Sequence, residues 1–148
     1  MSWLELVTAV CGIFMTPNLD KTIANVSESY GVDKYVVLSV VWQESRCDAD
    51  AVGAVGELGL MQISPRWHMD RMVRLGARNM FDTEMNVTVG VDLLAELGVM
   101  SDPHHALAVY NGGYAKPDLS KQYASNVVRR AAVYSCLLYT SDAADEAK

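Results

Sequence analysis

The chain has 148 residues, 51% of them hydrophobic and 20% charged, with a formal net charge of −6. That length and balance specify one globular domain of the soluble type with a sizeable core. The negative charge excludes a nucleic-acid binder whose affinity rests on neutralising phosphates.

Trp3, Leu6, Val7, Val10 and Phe14 recur at helical spacing and predict an amphipathic helix at the start of the chain. Glu5, the lack of a basic leading segment and the lack of a small-x-small cleavage site argue against a signal peptide. The run is also too short to span a bilayer. Beyond Thr16-Pro17-Asn18, the positions Leu19, Ile23, Val26 and Tyr30 predict a second helix that Gly31 stops. Asp33 is placed to cap a third, strongly apolar helix ending near Glu44 and Ser45. Its β-branched residues make a strand the rival reading, and the Asp cap and the length favour the helix.

Residues 46–58 read as a glycine-bearing loop with room for a short turn-rich ribbon, and 59–63 as the start of a short helix that Pro65 interrupts. An arginine-bearing helix over 66–75 closes at Gly76. Arg71, Arg74 and Arg78 then fall on one face, read as solvated, with contact to an anionic polymer as the lesser alternative. Asp82 or Thr83 caps the next helix, with Val87, Val91 and Leu94 facing inward and Gly98 at its end. Asp102 and Pro103 open another, broken at Asn111-Gly112-Gly113, and Asp118 caps a last one through Tyr123, Val127, Ala131 and Tyr134. The expected class is all-α. Residues 136–148 show no period that continues this helix and end in small and acidic residues, so they read as a non-native or disordered tail to a domain of residues 1–135.

Cys11, Cys47 and Cys136 show no metal spacing and are odd in number, so neither a disulfide framework nor a zinc site is expected. Cys47 reads as a small semi-buried residue, and His68, His104 and His105 as surface residues. No metal or organic cofactor is expected, and a monomer is the default.

The residues that suggest chemistry lie around Glu44. A carboxylate at the end of an apolar helix is partly desolvated, which raises its pKa towards that of a proton donor near neutrality. It is followed by Gly59-Leu60-Met61-Gln62-Ile63 and later by Ala108-Val109-Tyr110-Asn111-Gly112-Gly113. Together with Glu44-Ser45, Asn86-Val87, Gly90, Leu93-Leu94 and Tyr123, in that combination over roughly residues 20–135, the chain resembles the lysozyme-like lytic transglycosylases.

The resemblance implies a lysozyme-like helical domain with a glycan-binding cleft, acting on the MurNAc-β-1,4-GlcNAc bond of peptidoglycan strands. It implies Glu44 as the catalytic group, acid first and then base, with 1,6-anhydromuramoyl ends as products. Substrate contacts are expected from Ser45, Met61, Gln62, Tyr110, Asn111 and Tyr123, although Met61 and Tyr123 also suit a core, and Trp67 suits either a cleft or helix packing. Many relatives carry a hydroxyl residue nine positions after the acid, where this chain has Gly53, and a Gly-Ala pair where it has Gly56-Glu57.

Glu57 is thus a second carboxylate, as in goose-type lysozymes, which leaves two alternatives. One is a muramidase in which Glu57 positions water; the other is a non-catalytic peptidoglycan-binding domain. The expected place of action is the periplasm or cell wall, with a phage-encoded or virion-associated origin fitting the lack of a clear signal peptide.

Overall fold

Side-chain caps set where most of the helices begin. The Ser2 hydroxyl accepts the Glu5 amide and the Glu5 carboxylate accepts the Ser2 amide, a reciprocal box that starts α1 (Trp3–Cys11). Asp33 caps α3 (Lys34–Ser45), Asp82 caps α5 (Thr83–Glu96) and Asp102 caps α6 (Pro103–Gly112), each carboxylate accepting a first-turn amide. Between them lie α2 (Leu19–Tyr30) and α4 (Pro65–Leu75), which end on Gly31 and Gly76 in the left-handed region. The last helix, α7, spans Pro117–Glu146. These elements come from a computed structural model that describes residues 1–114 and 117–146. Among the described residues there is no strand, only two isolated bridges.

Helix α3 is the centre of the molecule. Val37, Leu38, Val40 and Val41 are all fully buried, so it is covered on most of its circumference and shows no amphipathic period. Helix α7 packs along it, α6 packs on α7, and α2 packs on α5. The Ser39 hydroxyl donates to the Val127 carbonyl at 2.9 Å, and four residues earlier on α7 Tyr123 meets Glu44 at the far end of α3. The two contacts run in opposite directions along the two helices, which fixes them as an antiparallel pair.

Several expectations are corrected. Residues 59–63 are not helical: Gln62 has φ 53°, and the segment forms bridges Val52–Leu58 and Leu58–Ile63, so the ribbon reading of the preceding loop extends into it. Asp118 lies in the first turn of α7 instead of capping it. Arg78 falls beyond the end of α4, and Arg71 and Arg74 are not simply solvated. Both pair with Asp92 on α5, which also accepts the Tyr30 hydroxyl from α2.

Cys11 and Cys47 form a disulfide, tying the end of α1 to the second residue past α3, with Cα atoms 5.4 Å apart. Thirty-six positions separate them, so only the fold brings them together. Cys136 takes no part in it. The boundary expected at residue 135 is not a helix end: α7 continues to Glu146, and Leu138 is buried in the core.

Candidate active site

Four parts of the chain meet at a cleft of about 970 Å³: the end of α3, the loop 53–64, the start of α4 with one face of α5, and the end of α6. That volume lies in the range of ligand-binding clefts. Glu44 lines it from α3; Glu57, Gln62, Ile63 and Ser64 from the loop; Trp67 and His68 from α4; Leu93 from α5 and Leu97 just past its end; and Val109 to Tyr114 from α6 and the turn after it.

The loop is held by a buried amide. Asn86 on α5 accepts the Met61 amide at 2.8 Å and donates to the Leu58 and Met80 carbonyls at 2.9 and 2.8 Å. Both its amide protons and its oxygen are spent on loop backbone. Gly59, at φ +75°, lies so close to Met80 and Asn86 that a Cβ there would overlap both. Gly90 makes the matching allowance on α5, where a Cβ would strike the Met61 side chain.

Met61 is therefore fully buried in the core and does not line the cleft. Ser45 is also outside it: the buried hydroxyl reaches the Leu60 carbonyl at 2.8 Å and stitches α3 to the loop. Gln62, Tyr110 and Asn111 do line it. The Tyr110 hydroxyl donates to the Met61 carbonyl at 2.6 Å, and Asn111 accepts the Ser120 hydroxyl at 3.1 Å. Tyr123 stands behind the wall and donates to Glu44 Oε2 at 2.7 Å.

Glu44 has no cation among its described partners. Burial pushes its pKa up, the Tyr123 hydrogen bond opposes that, and the charge of Glu57 adds to the rise, giving about 7 against an ordinary 4.5. Burial first, and the Glu44 charge second, hold Tyr110 and Tyr123 well above the usual phenol range, so both remain donors. With Tyr123 occupying Oε2, Oε1 is left to carry a transferable proton.

Composition and periodicity do not single out some of the lining residues. His68 is half-buried in the cleft and not a surface histidine; burial, then Arg71, lowers its pKa. Its backbone departs from helical angles (φ −124°, ψ 19°) inside α4. Trp67 is 73% exposed and lines the cleft, which decides between its two readings. Val55 and Tyr114 add exposed apolar surface at 84% and 76%. No period signals such residues, because a cleft wall is built from unrelated elements.

An all-α domain with one desolvated acid at the end of its central helix, facing a cleft, is of the lysozyme-like class. By its sequence the chain belongs to the transglycosylase SLT domain family, whose model matches residues 21–131. It is 34% identical over 119 residues to the membrane-bound lytic murein transglycosylase F of Desulfosudis oleivorans, covering 75% of this chain and 25% of that protein. It is 35% identical over 94 residues to the transglycosylase of Enterobacteria phage PRD1, covering 63% and 34%. The chain thus spans a quarter to a third of the length of these curated relatives.

Among solved structures it superposes on an inactive mutant of the lytic transglycosylase Slt from Pseudomonas aeruginosa. That match has a TM-score of 0.70 and 20% identity, over 80% of this chain and 24% of that one. It also superposes on the 70 kDa soluble lytic transglycosylase of Escherichia coli, with a TM-score of 0.70, 17% identity and the same coverage. These likenesses establish the fold. No helix among the described residues is long and apolar enough to cross a membrane.

Proposed function

We propose that the domain is a peptidoglycan lytic transglycosylase that cleaves the MurNAc-β-1,4-GlcNAc bond and leaves 1,6-anhydromuramoyl ends. The observation that carries this reading is Glu44: a desolvated carboxyl with a pKa of about 7, hydrogen-bonded among the described residues only to a phenol, and opening on a cleft. The family and the curated transglycosylases it resembles support the same chemistry.

The mechanism follows from the protonation states. Neutral Glu44 gives its Oε1 proton to the glycosidic oxygen as the C1–O bond breaks. The carboxylate so formed is stabilised by the Tyr123 O–H, which already points at Oε2. It then takes the proton of the muramoyl 6-hydroxyl as that oxygen closes on C1. The nucleophile is tethered to the reacting sugar, so its effective concentration is high and no second carboxylate is needed to attack or to hold water. Exposed apolar side chains at the rim, Trp67 and Tyr114, offer faces for sugar rings.

Glu57 favours a second reading, because it lies in the same cleft and its charge acts on Glu44. In a muramidase it would position water and leave reducing muramic ends. The test is Glu44→Gln against wild type on purified peptidoglycan, with products weighed by mass spectrometry. The expected result is anhydromuramoyl ends from the wild type and a cleavage rate lower by roughly 10²–10⁴-fold in the variant, with glycan binding retained. Reducing ends, heavier by one water, would favour the muramidase. Undiminished cleavage by the variant would remove Glu44 from the reaction.

A further inference from the structure

Gly53 and Glu57 close one tight turn. The Gly53 amide donates to the Glu57 carbonyl at 2.7 Å, and the Gly56 amide to the Gly53 carbonyl at 3.2 Å. The Glu57 side chain folds back over this turn, and its Oε2 occupies the volume that a Cβ on residue 53 would fill. The same point lies 2.7 Å from Gln62 Oε1. Gly53 does not have the positive φ that would demand glycine, so what a side chain here would meet is the carboxylate itself, which would have to move.

The orientation of Gln62 is set by its other end. Its Nε2 donates to the Ala51 carbonyl at 3.2 Å and to the Gly59 carbonyl at 3.0 Å, which uses both amide protons. The amide oxygen is therefore the end that faces Glu57. Two acceptors held around one point repel each other unless a donor joins them. Both residues line the cleft that Glu44 lines.

We infer that Glu57 Oε2 and Gln62 Oε1 form a paired acceptor for an N–H or O–H group of the bound sugar, and that Gly53 exists to make room for it. This rests on reading the cleft as a glycan-cleaving site and assigns Glu57 a substrate contact that the intramolecular reaction does not itself require. The backbone places both partners: the turn sets Glu57 beside Gly53, and two carbonyls orient Gln62. A sugar that presents a donor there is held beside Glu44, and one whose donor is absent or blocked leaves two half-buried acceptors without it.

The test is a double-mutant cycle of Gly53→Ala, Glu57→Ala and the two combined, measured as kcat and KM on soluble glycan strands, with melting curves for each. A methyl group at 53 displaces the carboxylate without removing its charge, so both single changes abolish the same contact. Each should lower kcat/KM by about tenfold, chiefly through KM, with melting temperatures near wild type. The combined variant should be no worse than either alone. Glu57→Gln retains an acceptor oxygen and should stay within about threefold of wild type.

Wild-type kinetics in Gly53→Ala, or a double variant whose loss is the product of the two single losses, would overturn the paired acceptor. So would ¹⁸O-labelled reducing ends formed in H₂¹⁸O by the wild type and lost in Glu57→Ala, since the donor would then be water. Failure of the underlying reading is separable: a Glu44→Gln variant that still cleaves removes the glycosidic site itself, whereas a dead Glu44→Gln with an additive cycle removes only the role of Glu57.

Discussion

Asp92 and Glu44 are both withdrawn from water, and they are handled in opposite ways. Asp92 on α5 accepts hydrogen bonds from Tyr30, Arg71 and Arg74. Burial pushes its pKa up, but the bonds from Arg74, Tyr30 and Arg71 outweigh that and hold it below the ordinary 3.8. Glu44 at the end of α3 has burial, one phenol and the repulsion of Glu57, and its pKa rises to about 7. A cation beside a buried acid makes it a permanent anion that clamps helices, here α2, α4 and α5. Without one, the acid becomes a group that exchanges its proton near neutrality. Partners, more than burial, separate structure from chemistry.

The largest expected effect tests whether the Glu44 end of α3 is anchored from outside the helix. Reducing the Cys11–Cys47 disulfide, or replacing both residues by alanine, should cost about 2–4 kcal/mol of stability in a denaturant titration. Activity should fall as well, because Cys47 lies three residues past Glu44. Unchanged stability and activity on reduction would mean that α1 has no part in holding the site.

Replacing each acid by its amide sharpens the contrast further, with opposite signs expected. Asp92→Asn should lower the melting temperature by several degrees at pH 7, since two guanidinium groups lose their anion. Because the folded pKa is depressed, the stability Asp92 provides is present above 3.8 and lost as pH falls through the folded value. The gap between wild type and Asp92→Asn should therefore close in acid.

Glu44→Gln should do the reverse, with a smaller effect of about one to three degrees. Its folded pKa is raised, so its favourable contribution is complete below 4.5 and lost as pH rises to about 7. Above that, the wild type holds a buried charge that the amide does not. The variant should melt higher at pH 8 and level with wild type at pH 4. Calorimetry on the two variants across pH checks both signs, and equal signs would erase the distinction between the two acids.

Much of this was legible in the residues, and the remainder failed for identifiable reasons. Asp33, Asp82 and Asp102 cap helices where local sequence placed them, because a cap is a short-range interaction. Glu44, Gln62, Tyr110, Asn111 and Tyr123 do gather around one cleft and its wall. Met61 and Ser45 carry the same motif character but turn inward, since a side chain's direction in a loop depends on what Asn86 and Gly90 allow. The segment 59–63 carries helix-like apolar spacing, yet the left-handed Gln62 and the buried Asn86 bonds override it. The disulfide and the Asp92 cluster join distant residues, and spacing says nothing about such contacts. His68 entered the cleft through a kink that no single-residue propensity signals.

The most direct measurement is the titration of the Glu44 side-chain carboxyl itself, followed by ¹³C NMR with Glu44→Gln used to assign the signal. A midpoint of about 7, well apart from the ordinary carboxylates, is the expected result, because no cation offsets the burial of this acid. A midpoint near the ordinary 4.5 would mean that Glu44 is charged at neutral pH, cannot donate the proton, and differs in no essential way from Asp92.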